Sequence, residues 1–103
     1  LTSRIRLEDG SEILVVKVGA TNVGRIGVVY SDELLVNAGR LPRDCKRFDW
    51  VPSTKVTFEK GGELGRFEMG STVILVVDKK IHERHPELFT SRLGQAVKVG
   101  ESL

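Results

Sequence analysis

Apolar and polar residues alternate in short runs punctuated by glycine, a rhythm that predicts strands rather than helices. Residues 4–8 alternate as Arg-Ile-Arg-Leu-Glu and run into Asp9-Gly10, a tight-turn signal. Glu12–Val18 has the apolar density of a buried strand and stops at Gly19. Residues 23–30 alternate weakly, 33–36 form a short run, and 55–59 alternate again as Lys-Val-Thr-Phe-Glu before the turn Lys60-Gly61-Gly62-Glu63. Residues 64–68 lead through Gly70-Ser71 into Thr72 and the aliphatic run Val73-Ile74-Leu75-Val76-Val77, which carries the marks of deep burial. A last strand is predicted over 95–99. The one predicted helix covers 83–93, with Pro86 in its first turn and Gly94 as its stop. Residues 37–52 hold Gly39, Pro42 and Pro52 and predict a long loop, which Phe48 and Trp50 pin to the core. The expected fold is mainly β: a compact barrel- or sandwich-like domain of short strands with one short helix near the C-terminus.

Composition narrows this picture. A chain of 103 residues, 40% hydrophobic, suits one small domain over 1–103, and no repeat or linker divides it. Sixteen basic and fourteen acidic residues leave a dispersed +2, and aromatics are only 6%, so no nucleic-acid footprint exists. Arg40, Arg43, Lys46 and Arg47 form the densest basic patch, interrupted by Asp44; it reads as a solvated loop, with a phosphate or an anionic lipid surface as the alternative. Cys45 stands alone, so no intrachain disulfide forms, and no metal-ligand spacing occurs. The longest aliphatic run is far too short for a membrane span, and the opening residues read as strand rather than as a signal peptide. His82 and His85, three apart beside Glu83, Arg84 and Pro86, read as a polar surface turn rather than a base or ligand pair. The glycines of 19–24 mimic a phosphate loop, yet Arg25-Ile26 follows where Lys-Ser or Lys-Thr is needed.

Gly70-Ser71 is the candidate for chemistry. A serine hydroxyl can attack the carbonyl just before it, turning an amide into an ester, but a planar trans peptide resists this. Strain in the bond, a base and oxyanion stabilisation make the step feasible. Gly70 tolerates unusual dihedrals, and the strand beginning at Thr72 fixes the reacting atom against a stiff element. From the residues alone, a plain strand entry at Gly70-Ser71 is the favoured reading.

Three separated segments resemble the phosphatidylserine decarboxylase family: Val18-Gly19-Ala20-Thr21-Asn22-Val23-Gly24 with Ile26, Lys60-Gly61-Gly62-Glu63-Leu64-Gly65-Arg66-Phe67 running on to Gly70-Ser71-Thr72, and residues 95–99 with Gly100-Glu101. The resemblance implies self-cleavage between Gly70 and Ser71, with Gly70 ending a longer chain 1–70 and Ser71 becoming a pyruvoyl group at the head of a chain 71–103. It further implies that the pyruvoyl ketone forms a Schiff base with the substrate amine and that phosphatidylserine is decarboxylated to phosphatidylethanolamine. Thr72, Gly19, Ala20, Asn22 and Gly24 are then expected to shape the pocket, and no metal is expected. The family's cleavage histidine and aspartate lie upstream of these motifs, so the chain is expected to be the C-terminal part of a proenzyme, inactive alone. The N-terminal part of the proenzyme would be its partner, and a homodimer stays open. Peripheral attachment to a bacterial cytoplasmic or mitochondrial inner membrane is implied as well. The rival reading is a non-catalytic β carrier or interaction module. Its turn 60–67 resembles those of biotin and lipoyl carriers, but Glu68-Met69-Gly70-Ser71-Thr72 offers no lysine to modify.

Overall fold

A computed structural model describes residues 1–19, 25–36, 49, 51–68, 72–88, 90 and 93–101. They form six strands and one helix: β1 (Thr2–Arg6), β2 (Glu12–Val18), β3 (Ile26–Val28), β4 (Ser31–Val36), β5 (Gly65–Phe67), β6 (Thr72–Val77) and α1 (Lys79–Arg84). Two three-stranded sheets result, ordered β1-β2-β6 and β4-β3-β5, and the architecture is mainly β without a closed barrel. The chain clusters into two compact units, one of Leu1 with Lys17–Val73, the other of Thr2–Val16 with Ile74–Leu103.

In the second unit, Asp9-Gly10 makes the predicted turn. Gly10 sits at φ 81°, a conformation that favours glycine, and the Leu7 amide donates to the Ser11 carbonyl across 2.8 Å. That turn sets β1 antiparallel to β2, with Thr2 opposite Val16 and Arg6 opposite Glu12. The Asp78 amide donates to the Glu12 carbonyl over 2.9 Å, so the end of β6 lies beside the start of β2 and the two strands run antiparallel. β6 is therefore an edge strand. Its Val73, Ile74 and Val76 are about half exposed, against the deep burial that their sequence predicts; an aliphatic run at a sheet edge has one neighbour, not two.

The helix is also displaced from its predicted place. α1 starts at the N-cap Asp78, whose carboxylate accepts from the Lys80 amide at 3.1 Å, and it ends at His85. Pro86 is the reason. The residue before a proline is pushed out of the helical region, and proline has no amide to continue the ladder, so Pro86 closes this helix rather than opening another. Ile81 alone is buried on α1 and anchors it. Residues 95–98 carry no strand; glycines with positive φ flank them (Gly94, Gly100), and Val97 and Val99 face solvent.

In the first unit, β3 is the central strand. Ile26 and Val28 are its buried apolar residues, and β4 and β5 both pair with it antiparallel. The register with β5 sets Ile26 opposite Phe67, Gly27 opposite Arg66 and Val28 opposite Gly65. Residues 55–59 form no strand despite their alternation, although Phe58 packs edge-on against Tyr30 with centroids 6.1 Å apart. Phe48, Trp50 and most of the predicted 37–52 loop lie outside the described residues.

Candidate functional site

The segment that leads to the candidate cleavage point is held by β5. The Glu68 amide donates to the Arg25 carbonyl at 3.0 Å, and the Arg25 guanidinium meets the Glu68 carboxylate at 3.3 Å. Both side chains are exposed, so the ion pair adds little energy; the backbone bond fixes where the chain leaves β5. Gly65 opens this strand because nothing larger fits. A Cβ there would run into the Gly27 carbonyl and lie 3.0 Å from Val28 Cα, both backbone atoms of β3. The glycine lets the two backbones approach, which is its packing role rather than a conformational one.

Of the sequence-predicted residues, Gly70 and Ser71 lie outside the described set, as do Ala20, Asn22 and Gly24. Thr72 opens β6 and is exposed, and Gly19 follows β2 and is exposed. Carried along the antiparallel strands from Glu12 and Asp78, the pairing brings the end of β2 alongside Thr72. Gly19 and Thr72 are thus at the same end of their strands.

His82 is exposed on α1 and His85 is exposed at its end, where Nδ1 lies 3.7 Å from a Glu87 carboxylate oxygen. Among the described residues no cluster of three or more histidine, cysteine, aspartate or glutamate side chains is placed to hold a metal ion.

A second polar cluster has a triad-like outline without the chemistry. Asp9 accepts from both the Ser11 hydroxyl and the Ser11 amide, and the Arg84 guanidinium sits 2.6 Å from its other oxygen. The Ser11 bonds first, then Arg84, hold the Asp9 carboxyl down to about 2. Ser11 is fully buried and donates to an ionised carboxylate, while an arginine stands where a base would be needed. The cluster ties the β1–β2 turn to α1 and activates nothing.

Lys17 is the residue that pattern reading passes over. It interrupts the apolar run of β2, and its backbone exchanges hydrogen bonds with Leu1 at 2.8 and 2.9 Å. Its side chain is 4% exposed, and its Nζ has no hydrogen-bond partner. The ammonium rests against β5, 3.2 Å from where a Gly65 Cβ would stand. Burial pushes its pKa below the ordinary lysine value. The available signal was the lysine itself: a cation two residues before a glycine, inside a strand that is otherwise aliphatic after its first residue.

A sequence model of the family described as phosphatidylserine decarboxylase matches residues 2–103 of the chain. Individual relatives agree. The phosphatidylserine decarboxylase proenzyme of Myxococcus xanthus is 52% identical over 66 residues, which are 64% of this chain and 21% of that protein. The proenzyme of Helicobacter pylori is 33% identical over 94 residues, covering 91% of this chain and 31% of the relative. The mitochondrial proenzyme 1 of Saccharomyces cerevisiae is 33% identical over 94 residues, covering 84% and 18%. The chain therefore spans about a fifth to a third of the length of the curated relatives it matches. No solved structure matches it.

Proposed function

The chain belongs to the phosphatidylserine decarboxylase family, and from that premise we propose that it is the part of a proenzyme that cuts itself between Gly70 and Ser71 and then decarboxylates phosphatidylserine. The observation that carries this reading is the family match over residues 2–103, a span that includes the turn 60–64, β5 and the step into β6.

The chain's own parts suit the cleavage. β5 delivers the chain at a fixed point beside Arg25, and β6 receives it at Thr72 on a strand paired to β2. Between these two anchors the Ser71 hydroxyl attacks the Gly70 carbonyl, and the Gly70–Ser71 amide becomes an ester. β-Elimination then breaks the ester, leaving Gly70 as a carboxylate and residue 71 as a dehydroalanine; water adds to its enamine tautomer and ammonia leaves, which makes the pyruvoyl end of chain 71–103. Such a group fits this setting: it is made from the backbone itself, and Thr72 beside it is exposed rather than packed shut. When formed, it supplies an electron sink for the electrons released as carbon dioxide leaves. The base for the cleavage comes from a histidine and an aspartate of the rest of the proenzyme. Attachment to the membrane is peripheral in this reading; among the described residues no helix is long and apolar enough to cross a bilayer.

Ser71→Ala in the full-length protein tests the proposal. It is expected to leave one uncut chain with no decarboxylation and an unchanged far-ultraviolet spectrum. Wild type is expected to yield a small C-terminal piece that lacks an amine and gains mass on borohydride reduction. Cleavage of the alanine variant, or an intact wild type, would return the chain to the β-module reading.

A further inference from the structure

Lys17 has no role in the self-cleavage described above, yet the fold maintains it at a cost. A buried ammonium without a partner is among the least favourable groups a core can hold, and replacing it by an apolar side chain of the same length removes that cost. Among the described residues, its Nζ is the one buried side-chain polar atom that makes no hydrogen bond. Gly65 is also what gives the ammonium its resting place, since a side chain there would crowd it from 3.2 Å. Val18 and Gly19, the next two residues, are exposed, and the end of β2 lies alongside Thr72. The cation is thus two residues from solvent and at the strand end where the proposed reaction takes place.

We infer that Lys17 is an anion-binding residue whose ammonium takes a phosphodiester oxygen of the phospholipid headgroup. The inference rests on the decarboxylase reading for its choice of ligand. A headgroup of that class carries two anions, and the reaction separates them. The carboxylate leaves as neutral carbon dioxide, so a fixed cation on it would stabilise the starting state and slow the step. The phosphodiester keeps its charge throughout, so a cation on it holds the substrate without opposing the chemistry. The four-carbon stem of lysine lets the head swing toward a ligand, and leaving its resting place breaks no hydrogen bond. Burial already takes much of the hydration from the ammonium on folding, which strengthens its attraction for an incoming anion.

The test uses the full-length protein labelled with carbon-13 at the lysine ε positions. Glycerophosphoserine and glycerophosphocholine, both phosphodiesters, are expected to shift the Lys17 signal; free L-serine, which offers only a carboxylate, is not. A shift with serine alone, or with neither kind of probe, overturns the inference. This reads binding directly, so it stands even if the protein never cleaves itself, an outcome that would instead sink the decarboxylase reading. In the processed enzyme, Lys17→Met is expected to raise KM about ten- to hundredfold, the loss of one charge-assisted bond, with kcat little changed. Its melting temperature should equal or exceed that of wild type, which a merely structural lysine would not allow. A KM within twofold of wild type overturns the assignment.

Discussion

Gly65→Ala is a one-carbon change with a large expected effect. The added Cβ meets the Gly27 carbonyl and, at 3.0 Å, Val28 Cα. Both belong to the backbone of β3, the central strand of its sheet, so neither can rotate away as a side-chain end would. β5 must then move off β3. Overpacking of this kind costs about 1–3 kcal/mol. The pairing of three residues on each strand, with the flanking Val29–Leu64 and Arg25–Glu68 backbone bonds, is loosened as well. Each lost backbone bond adds roughly 1 kcal/mol. A total of about 2–4 kcal/mol is a large part of the stability of a small domain. It corresponds to a fall in melting temperature on the order of 10–20 °C. Thermal unfolding followed by circular dichroism measures it, with Gly10→Ala as the control. Gly10 has open space around it but a φ of 81°, so its loss is conformational, about 1 kcal/mol. If Gly65→Ala melts within two or three degrees of wild type, or loses less than Gly10→Ala, the close approach of β5 to β3 is not what the glycine serves.

Further expectations concern the other unit. The Ser11 bonds and Arg84 hold the Asp9 carboxyl down to about 2 in the folded protein against 3.8 for the free side chain, so its contribution is present above 3.8 and is lost as the pH falls through 2. Ser11→Ala removes the largest cause of that depression, and the Asp9 carboxyl, followed by carbon-13 NMR, should titrate at higher pH; an unmoved midpoint would contradict the assignment. Asp78→Ala removes the cap on α1 and should cost about 0.5–2 kcal/mol in a urea titration; no loss would mean that the first turn does not depend on that carboxylate.

Local patterns read true where a turn or an edge left no choice. Asp9-Gly10 specifies the β1–β2 hairpin, and Glu12–Val18 and Thr72–Val77 begin and end as their patterns predict. Elsewhere context decided. Pro86 suits the first turn of a helix and the stop of one equally well, and only the chain before it, with Asp78 as a cap, shows which applies. Residues 55–59 alternate as a strand should, yet they join neither sheet, and alternation alone does not supply a partner. Aliphatic density over 73–77 marks a strand without revealing how many neighbours it will have. As for the site, three sequence segments pointed to Gly70-Ser71 through a family resemblance, whereas Lys17 emerged only when burial and hydrogen bonding were known. A lysine in a strand is usually solvated, and its letter does not say that its ammonium will rest against the bare face of Gly65.

Under the proposed cleavage before Ser71, the edge position of β6 acquires a different meaning. β6 and α1 then belong to one polypeptide, and β1 and β2 to another. The ladder between β2 and β6, the Asp78–Glu12 bond and the Arg84–Asp9 ion pair become a subunit interface. Under the proposed cleavage the mature protein would in that sense be a heterodimer assembled before its subunits were separate, with the loop entropy of bringing them together met while they were one chain. Dilution, which has no bearing on the uncut precursor, becomes a force acting against the cut form.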